Sequence, residues 1–144
     1  MKTKLSLKGT LVYKIFKNNI LIEEVIENNL VVDNGRNLIT HFLAGDNLAD
    51  FIERVAFGTN GSPTNNTDSQ IVSAFVKPIS GFDYTGVGQV RFNWELLPTE
   101  NNGMTIAEFG LISSNGLLFA RRVRTTPLYK ESDIHIMGYW MIAL

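Results

Sequence analysis

Leu11-Val12-Tyr13-Lys14-Ile15-Phe16 and Leu21-Ile22-Glu23-Glu24-Val25-Ile26 are two β-rich runs separated by Lys17-Asn18-Asn19-Ile20. Asparagine tolerates positive φ better than most residues, so Asn18-Asn19 suits a two-residue hairpin turn. Pairing Lys17 with Ile20 sets the register. It puts Lys14 opposite Glu23, a cross-strand pair of opposite charge. Leu11, Tyr13 and Ile15 share one face of the first strand, and Val12 and Phe16 share the other. A hairpin apolar on both faces must be covered on both. Tyr13 and Phe16 point to opposite sides, so at most one belongs to the core and the other is a candidate interface residue.

The chain downstream of this hairpin reads as one helix followed by more strands. Asp33 to Ala44 is the helix, with Asp33 as the expected N-cap. Leu38, Ile39, Phe42 and Leu43 recur at helical spacing, and Gly45 is placed to end the helix in the left-handed conformation. Asn47 to Glu53 predicts a short turn. Val55 to Gly58 is short and apolar, and Thr59 to Ser69 is turn chemistry throughout. Ile71 to Ile79 predicts a strand that Pro78 ends or makes an edge. Val87 to Leu97 alternates, with Val90, Phe92, Trp94 and Leu96 on one face. Thr105 to Ile112 and Leu117 to Arg124 form a second hairpin around Ser113-Ser114-Asn115-Gly116, and Ile134 to Leu144 is a last strand. The fold class is mainly β: a single domain over residues 1–144, an antiparallel β-sandwich or open barrel of about eight strands with one short α-helix near 33–44.

Bulk properties narrow the function. Hydrophobic content of 44% and charged content of 19% fit an ordinary globular domain. A net charge of −1 offers no basic field, so no nucleic-acid partner is expected. No apolar run reaches the ~18 residues needed to cross a bilayer, so no membrane partner is expected either. The positive start, Met1 to Lys8, has no long apolar stretch behind it and does not read as a signal peptide. With no cysteine, the chain has no disulfide, no thiolate catalysis and no cysteine-based zinc site.

The side chains capable of chemistry are scattered. His41 and His135 are the two histidines, and His135 with Asp133 is only an i, i+2 pair. Gly86-Val87-Gly88 lacks the third glycine and following helix of a dinucleotide fingerprint and reads as a bend or bulge. Asp46, Asp50 and Asp68 match no calcium loop. The expectation is therefore no catalytic residue, no metal and no cofactor. Glu108 stands out as a carboxylate inside the apolar run Ile106 to Leu111, and a buried carboxylate needs a partner. A four-residue turn would set it opposite Arg121, and a three-residue turn opposite Arg122. Trp94, Trp140, Tyr139 and Phe82 are the residues that could stack on a sugar. Thr59 to Ser69 and Pro98 to Gly103 are expected to be exposed loops, the first mobile until a neighbour binds it.

Three strings in fixed order carry a resemblance. They are Asn29 to Leu38, Gly58-Thr59 with its Thr/Asp-rich loop, and Ile106 to Leu111 leading to Phe119-Ala120-Arg121, with Lys130 before the last strand. Together, over roughly residues 9 to 144, they resemble small tail, baseplate or neck proteins of tailed bacteriophages. That family is named by position in a particle. The resemblance implies a non-enzymatic virion component, located in the virion, that acts through other virion proteins and as a homo-oligomer. The alternatives are a carbohydrate-binding or receptor-binding module and a capsid decoration protein.

Overall fold

The computed structural model describes residues 7–46 and 50–144. Among the described residues, nine strands and one helix run in the order β1 (Lys8–Lys17), β2 (Ile20–Val31), α1 (Asp33–Ala44), β3 (Ile52–Gly58), β4 (Phe75–Pro78), β5 (Gly81–Gly86), β6 (Gln89–Leu96), β7 (Thr105–Ser113), β8 (Leu118–Tyr129) and β9 (Ile134–Ala143). All nine strands join one antiparallel sheet, ordered β4-β3-β7-β8-β2-β1-β9-β6-β5. The sheet curls into a half-barrel, the open form of the class the strand pattern predicts.

The first hairpin turns at Asn18 and Asn19, both with positive φ (49° and 63°), and Lys17 pairs with Ile20. A bulge then shifts the register between Ile15 and Phe16, so Lys14 faces Glu24 rather than Glu23. The displaced Glu23 meets Arg124 instead, at 3.1 Å. Leu11, Tyr13 and Ile15 are buried, as the alternation requires. Curling brings their face against β6, β3 and β7. Ring centroids lie 4.9 Å apart for Tyr13 and Phe109, 5.5 Å for Phe57 and Trp94, and 5.9 Å for Trp94 and Phe109. Tyr13 is therefore core and not interface. Burial raises the pKa of its phenol, although the Arg124 guanidinium, 2.6 Å from its oxygen, opposes this. Phe16 is half-buried on the convex face, beside His135.

Strands β2 and β8 pair only through Leu30–Val31 and Ala120–Arg121. Beyond that point arginines bridge them. Arg122 reaches Glu27 and the Asn28 carbonyl, and Arg124 reaches Glu23 and Tyr13.

Other elements depart from the sequence reading. Strand β4 covers only Phe75–Pro78, because the Val72 backbone is taken up elsewhere: its carbonyl accepts from Thr59 N–H and its N–H donates to Glu108. Pro78 does lie on an edge strand, at one end of the sheet. Strand β5 was not expected; it turns into β6 through Val87-Gly88, with Gly88 at φ 69°. Residues Ile52 and Glu53 belong to β3 and not to a turn, while 47–49 fall outside the described residues.

Helix α1 spans the expected residues and ends on Gly45 at φ 76°. Its N-cap is Val32, not Asp33, and no side chain caps it. Instead the Asp33 N–H donates to the Asn66 carbonyl. The helix lies on β8 through backbone: a Cβ on Gly35 would stand 2.3 Å from the Phe119 carbonyl oxygen. Leu38 and Ile39 lean on the core, but Phe42 and Leu43 are exposed. Exchanging glycine for alanine in a helix interior ordinarily gains ~1 kcal/mol. Here the contact with rigid backbone outweighs that gain, since overpacking costs ~1–3 kcal/mol. Gly35→Ala should therefore lower the midpoint of urea unfolding, and an unchanged or raised midpoint would show that the helix can shift away from β8.

Candidate functional site

The motif residues meet at one place. Glu108 and Arg121 are buried, and Arg121 Nε donates to Glu108 Oε1 at 2.8 Å. The pair is diagonal: Glu108 faces Val123 in register and Arg121 faces Gly110. Glycine leaves the space over which a long side chain can reach the diagonal neighbour. Glu108 Oε2 accepts the Asn60 and Val72 N–H groups at 2.7 and 3.1 Å. Arg121 Nη1 donates to Asp68 at 2.9 Å, and Nη2 donates to the Asn60 and Ser62 carbonyls at 2.9 and 3.1 Å. Gly58 is required beside them, because a Cβ there would lie 2.7 Å from Glu108 Oε2.

The expected pairing of Glu108 is thus made with Arg121, and Arg122 takes Glu27 instead. Adjacent residues on a strand point to opposite faces, so both arginines could not share one partner. The loop after Gly58 is exposed, but it is tied to the buried pair through Asn60, Ser62, Asp68 and Val72 and is not a loose segment. The loop from Pro98 to Gly103 is anchored in the same manner. Buried Lys130 donates to the Pro98 and Glu131 carbonyls and to Asn102 Oδ1. Burial holds the Lys130 ammonium below the usual lysine pKa. Lys77 adds a 2.6 Å ion pair to Glu100.

These groups are all used in holding the fold. Open chemistry lies elsewhere, in a groove of about 740 Å³ at one end of the half-barrel. Leu38, Ile39, Phe42 and Leu43 of α1 form one wall, and Phe82 and Tyr84 of β5 form another, with Phe51, Val90, Phe92 and Leu144 between them. The lining is almost wholly apolar. Asp50 is its charged member. Its Oδ1 accepts from Ser114 and from the Asn115 N–H at 3.2 Å each, while buried Oδ2 has no hydrogen-bond partner among the described residues. The exposed helical face of α1 belongs to this groove and not to the closed core. The alternation of Phe82 and Tyr84 was the available sequence signal for β5, obscured by glycines at both ends of the strand.

The remaining polar candidates stand apart. His41 pairs with Asp46 at 3.0 Å, and His135 with Glu95 at 3.0 Å rather than with Asp133. Asp46, Asp50 and Asp68 each have separate partners. Trp94 and Trp140 are buried, Tyr139 lies beneath the Arg91 guanidinium, and of the four stacking candidates only Phe82 is well exposed. In comparison with known proteins, no family model, curated protein or solved structure matches the chain.

Breaking a buried pair by removing one partner costs ~3–5 kcal/mol. At ~2–4 °C per kcal/mol, Glu108→Ala should lower the Tm by roughly 10 °C. It should also open residues 59–69 to proteolysis that the wild type resists. A Tm loss no greater than that of exposed Glu24→Ala would show that the pair holds nothing.

A pH dependence follows from Glu100. Its burial alone would raise the carboxyl pKa, but the bonds from Lys77 and the Leu97 N–H outweigh this and hold it below the usual value. A depressed carboxylate contributes stability above its unfolded pKa and loses it as pH falls through the folded value. The stability gap between wild type and Glu100→Gln should be full at neutral pH and vanish on acidification. A gap independent of pH would contradict this.

Proposed function

We propose that this protein is a non-enzymatic structural subunit of a tailed-phage virion, in the tail, baseplate or neck, and that it acts by binding other copies of itself and other virion proteins. The virion part of this reading rests on the ordered strings at Asn29 to Leu38, Gly58-Thr59 and Ile106 to Arg121, and the assembly part on the open groove between α1 and β5. Among the described residues the groove leaves several large apolar side chains uncovered. Contiguous exposed apolar surface of this kind marks sites of protein or membrane contact and ligand grooves. The convex face adds a second apolar area, where half-buried Val12 and Phe16 lie with exposed Ile22, Ile26 and Met137.

The titratable side chains support the same reading. Glu108, Arg121 and Lys130 are consumed by structural bonds, and the two histidines each hydrogen-bond a separate carboxylate. A sugar-binding or receptor-binding site would need polar groups converging beside an exposed aromatic ring. The groove offers Phe82 and Tyr84 but few polar partners, which favours a protein ligand over a glycan. Capsid decoration remains a form of the same assembly chemistry.

Light scattering from low micromolar to millimolar protein tests this proposal, alongside a glycan array and a hydrolase panel. The expected result is concentration-dependent association with no glycan bound and no turnover. A strict monomer that binds a glycan, or turnover abolished by changing His135, would overturn it.

A further inference from the structure

We propose that strand β5 of a second copy fills the groove, pairing antiparallel with β5 and forming a two-fold dimer; this inference rests on the assembly reading above and names the partner of its groove. Strand β5 ends the sheet, and its outer backbone edge has no partner among the described residues. The two sheet ends differ. Strand β4 is four residues long and carries Lys77 and Pro78, residue types that blunt an edge. Strand β5 has six residues and neither type. Its register with β6 slips between Asp83 and Gly86, and the backbone edge left free is still a template for another strand.

The groove lies where the half-barrel fails to close. Ile79 N–H donates to the Glu53 carbonyl and Ser80 N–H to the Asn93 carbonyl, which joins the two sheet ends just before β5. Beyond that stitch, β5 and residues Asp50 to Ile52 line opposite parts of the groove. An added strand would meet a free backbone edge on one side and an apolar floor below.

The second copy suits this place because β5 is self-complementary. A two-fold axis presents the same patch on both partners, and antiparallel pairing is the arrangement it produces. Phe82 and Tyr84 alternate on the groove side, 60% and 78% exposed. Asp83, on the other face, is held by Arg91 at 2.7 and 3.0 Å, so apposed strands bring no bare like charges together. At ~150–250 Å² per aromatic side chain, Phe42, Phe51, Phe82 and Tyr84 with Leu43 and Leu144 expose several hundred Å². These side chains supply part of the ~800 Å² that one partner contributes to a stable interface.

The test uses the full chain in sedimentation equilibrium, with circular dichroism to confirm folding. Wild type should form a dimer. Tyr84→Lys places a charge in the seam and should weaken the dimer by about 100-fold or more, while Ile26→Lys on the convex face should leave it intact. Because the chain lacks cysteine, Tyr84→Cys provides a second reading. Position 84 lies near the centre of β5, so oxidation should link two copies, whereas Ile26→Cys should stay unlinked. Association that survives Tyr84→Lys and is lost in Ile26→Lys would overturn this inference and leave the assembly reading standing. A wild type that never associates would overturn both the dimer and the self-assembly on which it rests.

Discussion

The buried pair of Glu108 and Arg121 is the constraint on which the rest of this structure depends. Two charges removed from water must be paired, and every remaining lone pair and N–H must also find a partner. The strands cannot supply those partners, because their backbone groups are engaged in the sheet. The segment from Thr59 to Val72 supplies them, so its course is set by the pair it encloses. The effect spreads in two directions. Asn66 in the same segment accepts the first free N–H of α1, and Val72 is drawn out of β4, which shortens that edge strand. Glycine at position 58 is what lets the carboxylate approach.

The chain therefore spends its unusual residues on architecture. Gly58, Glu108, Arg121 and Lys130 stand out in the sequence, yet each is absorbed by structural bonds. What remains available for recognition is ordinary in composition: phenylalanine, leucine and tyrosine side chains that a curled, unclosed sheet leaves uncovered. A closed barrel would have no such groove, because closure removes both edges. The open seam is a property of strand number and curl rather than of any one motif, which accounts for its silence in a motif-by-motif reading.

The site was only partly legible in the sequence. A lone glutamate in an apolar strand predicts a basic partner across the hairpin, and such a partner is there. Which arginine it is depends on the register irregularity between Leu111 and Ile112, which makes Glu108 reach diagonally. Phe42 and Leu43 fit the apolar stripe of a helix, yet that stripe does not reveal whether a sheet will cover all of it. Tyr13 and Phe16 likewise differ by face, but which face turns inward follows from the direction of curl.

The sequence by itself determined the local geometry: the Asn18-Asn19 turn, the helix from Asp33 to Ala44 with its Gly45 stop, most of the strands, and the need of Glu108 for a cation. Backbone preference and side-chain period act over a few residues, so they can be read in order along the chain. Only the tertiary structure decided the nine-strand order, the choice of Arg121 over Arg122, the enclosure of the 59–72 segment, and the open groove beside β5. Those features join residues as distant in the chain as Lys8 and Ala143, and such contacts are selected by the packing of the whole sheet rather than by the preference of any one segment.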